Sequence, residues 1–448
     1  MKYPLIIIGG GTAGTKLAFM ACKKVKTLLI EPGVMGGTCL NTGCIPTKAM
    51  IYASLLYAHT KSMPYFGIDA KAKVNFDKLM TRVNSISKEG RDHIYVSIDR
   101  NKNLTVINAK AEFVGIKKVK AGEAVYDAET IVIATGAINS VPPVKGLKET
   151  GYLDNETLLK SKKLPNSVIM IGGGYISMEY ASFFNNLGVK VTVIERLPEV
   201  LGMLDEDVRQ VLLDSHEKNG IKIITNANII EVKKGVSLKY NDVRDEKSKV
   251  KTLSADALFL ATGRVPNTKG LGCEKSKIEI GRRGEIVVDD LLKTSCKDIY
   301  AIGDCNGKPM FAHSAKRQTD IVMNNLFSEN KQKMDFDLIP WATFSEPVVS
   351  GIGLSEKEAK EKGIGYGMMK AEFIRNGRAK IIEEQEGFAK VLFDKSSRKI
   401  LGCCIIGANA DDIVHEVVAL MYAGGKVDIL SEMIHIHPTL SEVMENLR

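Results

Sequence analysis

The sequence predicts a multidomain α/β protein in which one β–α–β pattern occurs twice and an α+β region follows. Three observations carry that prediction. The segment Ile6-Ile7-Ile8-Gly9-Gly10-Gly11-Thr12-Ala13-Gly14 reappears in degenerate form as Val168-Ile169-Met170-Ile171-Gly172-Gly173-Gly174-Tyr175-Ile176-Ser177. Each copy continues into a second apolar strand ending in an acid, Leu28-Leu29-Ile30-Glu31 and Val191-Thr192-Val193-Ile194-Glu195, and later into a strand closing in Ala-Thr-Gly, at 134–136 and 261–263. From about Asp335 the pattern changes to hairpin-like strands over 387–392 and 400–406 and an amphipathic helix over 411–423.

The elements of each copy have a physical reason for their order. Glycines at a strand-to-helix turn let the backbone approach a pyrophosphate, which then sits at the positive end of the helix. The acid about 20 residues on accepts hydrogen bonds from an adenosine ribose. Two Rossmann-like dinucleotide-binding units in one chain are therefore expected. A third strand, Ile299-Tyr300-Ala301-Ile302-Gly303-Asp304, delivers an aspartate after the second unit.

Composition bounds the rest. At 448 residues the chain exceeds what one core organises, and about three domains are expected. An apolar fraction of 44% with 26% charged residues excludes a disordered or fibrous chain. No apolar run approaches the roughly 18–20 residues that cross a bilayer. Leu5-Ile6-Ile7-Ile8 runs straight into glycines without a basic leader. No membrane partner and a cytoplasmic location are expected. The net charge of +9 comes from lysines interleaved with acids along the whole chain, so no nucleic-acid partner is expected.

Eight cysteines in a chain this long are not a disulfide scaffold. Cys22, Cys273, Cys296 and Cys305 stand alone, and Cys403-Cys404 lies in an apolar strand pattern where buried thiols are expected. Cys39 and Cys44 differ, because their neighbours suggest chemistry. On a regular helix, residues five apart have Cα atoms roughly 8–9 Å apart, beyond the ~7 Å limit for a disulfide. A bridge between them demands a distorted turn, and Gly43 supplies the freedom. The nearby helix start and Lys48 favour a thiolate at the pair. No second Cys or His pair lies close by, so no metal site is expected.

The segment Gly36-Gly37-Thr38-Cys39-Leu40-Asn41-Thr42-Gly43-Cys44-Ile45-Pro46-Thr47-Lys48 is similar to the redox-active motif of the class I pyridine nucleotide-disulfide oxidoreductases. That family includes dihydrolipoamide dehydrogenase, glutathione reductase and mercuric reductase. The resemblance runs over essentially the whole chain, from both glycine turns to the terminal His437-Pro438. It implies an FAD-binding domain in two parts (1–142 and 264–334), an NAD(P)-binding domain (143–263) and a dimerisation domain (335–448). It implies that Gly9, Gly11, Gly14 and Glu31 bind the ADP half of FAD and that Asp304 holds its ribitol side. Gly37, Thr38, Lys48, Thr135, Gly136, Gly172, Gly174, Glu195, Gly263 and His313 complete the cofactor-binding set. Cys44 resembles the thiol beside the flavin and Cys39 the interchange thiol that meets the substrate. Lys48 and Glu179 resemble the ion pair near the flavin's reactive nitrogen. His437 resembles the general base, oriented by Glu442, and in the family it comes from the partner subunit of a homodimer. His435 is assigned no role beyond filling core or surface.

The motif segment and His435-Ile436-His437-Pro438-Thr439-Leu440-Ser441-Glu442 look most like dihydrolipoamide dehydrogenase. That implies a small dithiol or lipoyl group as substrate, with a 2-oxoacid dehydrogenase or other lipoyl-protein complex as a possible partner. The runner-up is a reductase of another disulfide, polysulfide or quinone-like acceptor, related to glutathione or mercuric reductase. Cys404 is the last cysteine, so the C-terminal pair of the bacterial mercuric reductases is missing. A non-catalytic flavoprotein subunit is the reading of another class, and the intact Cys39, Cys44, His437 and Glu442 set counts against it. Glu195 favours NAD over NADP by repelling a 2′-phosphate. Ser177, Ala181 and Arg196 look more like the NADP-linked glutathione reductases. NAD is expected, with NADP possible.

Overall fold

A computed structural model describes residues 1–245 and 248–448 of the chain. Its first sheet carries parallel strands in the order Leu104–Ile107, Thr27–Ile30, Lys2–Ile8 and Ala124–Ile133. Ile299–Ala301 adds to the far edge, parallel to the last residues of Ala124–Ile133. The first half of that long strand turns out into an antiparallel extension with Ala111–Gly115 and Lys118–Ala121. Thr27–Ile30 is buried at every position, which explains its continuous apolar reading: helices cover both faces of a parallel sheet.

The first strand leads into helix α1 (Thr12–Ala21). The cysteine segment forms two helices, α2 (Gly37–Asn41) and α3 (Cys44–Ser62), and the long α4 (Phe76–Asp99) follows. The second copy repeats the pattern with four parallel strands, Lys222–Ile224, Lys190–Ile194, Ser167–Ile171 and Ala257–Leu260. Its glycine turn starts helix α5 (Tyr175–Asn186), and α6 (Glu206–Lys218) covers a face. A three-stranded antiparallel sheet, Ala227–Lys233, Ser237–Asp242 and Lys251–Ser254, matches the extension of the first copy. These extensions were not visible in the sequence, because short strands such as Lys118–Ala121 bury only every second residue.

A two-stranded antiparallel ribbon joins the copies, pairing Ala137–Asn139 with Arg264–Pro266 directly after their Ala-Thr-Gly turns. The chain then returns to the first sheet, and α7 (Ala312–Phe327) packs on α1. The last region is a five-stranded antiparallel sheet in the order Trp341–Thr343, Val349–Gly353, Ile400–Ile406, Phe388–Asp394, Tyr366–Glu372. Helix α8 (Ala410–Tyr422) packs its Ile413, Val414 and Val417 against that sheet. Among the described residues no helix is long and apolar enough to cross a membrane.

Candidate active site

Both glycine turns have the shape that phosphate binding needs. Gly9 and Gly172 take positive φ, +109° and +108°. A Cβ on either would stand 2.3 and 2.4 Å from the carbonyl oxygens of Ala134 and Ala261. The helices that follow, α1 and α5, start at Gly11 and Gly174 with no side-chain cap and no acid in the first turn. Their first N–H groups are therefore left for an anion. Glu31 accepts from the backbone N–H of Gly10 (2.6 Å) and Gly33 (2.8 Å). Glu195 is held the same way by the N–H of Gly173 and Leu197. Each carboxylate is thus locked at the end of its strand, with lone pairs left for ribose hydroxyls. Thr135, Gly136 and Gly263 follow the two closing strands, and space is open around both glycines.

The thiols sit where a helix is broken. Between α2 and α3 only Thr42 and Gly43 intervene, and Gly43 is there for close approach: a Cβ would lie 2.9 Å from the carbonyl of Thr38. The break brings Cys39 and Cys44 near enough for each to shift the other's pKa, with both sulfurs unlinked. Cys44 heads α3, so the helix start alone would favour its thiolate. The structure places the acidity on the other sulfur. Cys44 first, and after it Thr12, Lys316 and Lys48, pull the Cys39 thiol down to about 6 against its burial. The Cys44 thiol is pushed far up by Cys39 and by burial.

Lys48 lies one turn beyond Cys44 and bonds both carboxylate oxygens of Glu179 at 2.8 Å. Glu179, on α5, is 3% exposed, and its Oε1 also accepts the backbone N–H of Phe344 from the last region (3.1 Å). The Lys48 ammonium stands over the Phe344 ring, 4.4 Å from its centroid. One carboxylate therefore ties the thiol helix, the second nucleotide unit and the antiparallel sheet together. Asp304 is held at the end of its strand with its carboxyl raised by burial, against the pull of Arg264. Thr38 accepts from Arg264 (3.2 Å). His313 spends its Nε2 on the carbonyl of Pro340 (2.6 Å) and stacks on Phe311.

The remaining pair is in the C-terminal region. His437 Nδ1 donates to Glu442 Oε1 (2.8 Å), and Thr439 N–H donates to Oε2 (2.7 Å). Those two bonds hold the Glu442 carboxyl below the usual range. The His437 side chain is 77% exposed, so its Nε2 face looks outward from the chain. Sequence reasoning missed Thr12, Lys316, Phe344 and Arg264. Thr12 lies inside the glycine motif and was within reach of it. The other three act on residues well over 100 positions away in sequence, and no local pattern marks them.

Two glycine turns of this shape, a thiol pair and a carboxylate-oriented imidazole fit a two-cofactor thiol–disulfide oxidoreductase. The comparisons agree. Residues 3–319 match the family model described as pyridine nucleotide-disulphide oxidoreductase, and residues 339–448 match that family's dimerisation domain. The chain belongs to the pyridine nucleotide-disulphide oxidoreductase family. A mercuric reductase of Bacillus cereus is 32% identical over 98% of this chain and 70% of its own length. A dihydrolipoyl dehydrogenase of Chlamydia pneumoniae is 32% identical over 99% and 95%. The solved HOCl-induced flavoprotein disulfide reductase RclA of Escherichia coli superposes with a TM-score of 0.89 at 30% identity, over 99% of both chains; it is also solved as a Cu(II) complex.

The family uses FAD and NAD(P), and the residues present fit both. Gly37 and Gly11 approach so closely that a Cβ on Gly37 would stand 2.6 Å from the Gly11 Cα, leaving a smooth backbone cradle at the start of α1. Gly174 faces open space at the matching place in the second copy.

Proposed function

We propose that the protein is a homodimeric oxidoreductase that moves an electron pair between a small dithiol or disulfide and NAD(H), with a dihydrolipoyl group as the preferred substrate. The contact of Cys39 with Cys44 across the α2–α3 break carries this reading. Gly9, Gly11, Gly14, Glu31, Gly37, Thr38, Thr135, Gly136, Asp304 and His313 form the FAD-side set, and Gly172, Gly174, Glu195 and Gly263 the nucleotide-side set. Bound FAD supplies the two-electron relay between the thiol pair and the nicotinamide.

The chain's own residues do the thiol chemistry. With Cys39 and Cys44 joined, a substrate thiolate attacks the Cys39 sulfur and Cys44 departs with the bonding pair. The partner subunit's His437 takes the substrate proton, and Glu442 stabilises the imidazolium. The second substrate thiolate then attacks the first substrate sulfur, closing the substrate disulfide and releasing Cys39. After Cys44 itself, Thr12, Lys316 and Lys48 lower the Cys39 thiol against its burial, which favours its departure in this step. The ion pair of Lys48 with Glu179 keeps a positive charge fixed at the head of α3.

A second reading has a specific observation behind it. The likeness to the flavoprotein disulfide reductase RclA covers both chains end to end, which favours a reductase of some other disulfide acceptor running the same steps in reverse. Glu195, held in the same way as Glu31, supports NAD over NADP in both cases. The test is steady-state turnover of NAD⁺ with dihydrolipoamide, beside NADH with oxidised glutathione, polysulfide and quinones. Dihydrolipoamide should give the highest kcat/KM and lose it in Cys44→Ser. Faster turnover of another acceptor would replace the lipoyl substrate, and equal rates in Cys44→Ser would overturn the thiol mechanism.

A further inference from the structure

Residues 434–437 invert the usual placement of side chains. Ile434 is 97% exposed and Ile436 78%, whereas the side chain of His435 between them is 2% exposed. An extended chain sends successive side chains to opposite faces, so this stretch puts an imidazole inside and two isoleucines outside. Burying an imidazole is costly unless it is hydrogen-bonded. It is bonded: Nε2 lies 3.3 Å from Glu416 Oε2 on α8. Nδ1 is enclosed with no hydrogen-bond partner among the described residues. A proton there would be an unpaired buried donor, so the proton belongs on Nε2, donated to Glu416.

The position of this bond gives it a purpose. Two residues after His435 comes the exposed His437, and two residues further Thr439 is fixed by Glu442. Asn376 donates to the carbonyls of Thr439 and Leu440 at the same end. His437 is therefore carried on a short strap fastened at both ends, by Glu416 on one side and by Glu442 with Asn376 on the other. With one fastening, the ring would swing on the other.

We infer that His435, through Glu416, is a positioning residue for His437: it fastens the strap that holds the imidazole at the right reach and angle for the thiols of a second copy. The inference rests on the reading of His437 as the thiol base. A shift of about 1 Å in a catalytic group can cost about 100-fold in rate, which sets the scale expected for losing the bond.

The test uses the full-length flavin-loaded protein and two half-reactions followed anaerobically by flavin absorbance, one driven by dithiothreitol and one by NADH. His435→Ala should slow the dithiothreitol-driven reaction about 10–100-fold in its limiting rate, with its half-saturating concentration little changed, and leave the NADH-driven reaction within about twofold. His435→Gln, whose side-chain N–H can still reach Glu416, should recover most of the rate. Glu416→Leu should behave as His435→Ala. Amide hydrogen exchange over 434–438 should rise in the two slow variants only, at unchanged sedimentation as a dimer. The inference is overturned if His435→Ala keeps its dithiol rate while His437→Gln loses it. It is equally overturned if His435→Gln is as slow as His435→Ala, if both half-reactions fall together, or if the dimer dissociates. Should His437→Gln itself retain full dithiol reduction, the base assignment fails and takes this inference with it.

Discussion

The two nucleotide-binding copies are alike at their first glycine and differ at their third. In the first copy Gly14 stands so close to the turn that a Cβ would lie 1.8 Å from the Gly9 carbonyl oxygen. In the second copy Ser177 occupies that place, so the joint there has to leave room for a Cβ. The acids are held alike in both, by the N–H groups of Gly10 and Gly33 and of Gly173 and Leu197. What differs is how tightly helix and turn are joined. A tight joint suits a cofactor that stays bound, and a looser one suits a nucleotide that leaves at each turnover.

Exchanging the third residues gives the largest effect. Gly14→Ser must push α1 away from Gly9, an overpacking that costs about 3 kcal/mol or more. The variant should be purified with little or no flavin, read as the ratio of flavin to protein absorbance. The reciprocal Ser177→Gly adds backbone freedom worth about 0.5–1 kcal/mol and should keep its flavin. Equal flavin content in the two variants would break the contrast between tight and loose joints.

The second copy should also be the acid-labile one. His216 on α6 is 1% exposed, its ring lying against the backbone of Leu212 and Met178. Burial pulls its pKa from 6.5 to about 4. The folded pKa lies below the unfolded one, so the unfolded chain binds the proton first. The stability contributed by the neutral ring is whole above pH 6.5 and drains away as pH falls through 4, roughly 3 kcal/mol in all. Thermal melts between pH 7 and 4.5 should show the second copy weakening, and His216→Leu should flatten that slope. An unchanged slope would move the acid sensitivity elsewhere.

Next in size is the acid that ends the second strand. Glu195→Ala should raise the NADH KM about tenfold with kcat little changed, because uniform binding is lost, and should narrow the preference over NADPH. Glu31→Ala should instead cost bound flavin. A Glu195→Ala variant that keeps both its KM and its preference would remove the carboxylate from nucleotide recognition.

Much of this contrast was legible from residues alone, and the reason is local. Gly9, Gly14, Glu31 and their second-copy counterparts act within one strand–turn–helix, where spacing reports geometry directly. The Cys39–Cys44 pair was legible because five residues of helix cannot bring two sulfurs together, and the chain answers with a break at Thr42–Gly43. The preference for charge on Cys39 was not legible. The lowering of its thiol comes first from Cys44 and then from Thr12 and Lys316, on separate helices. Phe344 was invisible for the same reason: its contact with Lys48 joins residues almost 300 apart in sequence. The bond of His435 to Glu416 left no mark in the sequence, because only the folded chain brings α8 to it.

The smallest prediction concerns the residue that distinguishes the copies. Ser177 Oγ is buried with no hydrogen-bond partner among the described residues, whereas Ser182, on the same helix, donates to the Met178 carbonyl and accepts from the N–H of Glu346. An unpaired buried hydroxyl costs about 1 kcal/mol. Ser177→Ala should therefore raise the melting temperature by about 1–2 °C, while Ser182→Ala lowers it. If Ser177→Ala instead raises the NADH KM severalfold with no gain in stability, the hydroxyl is spent on the nucleotide. The looser joint would then exist to make room for that bond, and mobility of the helix start would no longer explain it.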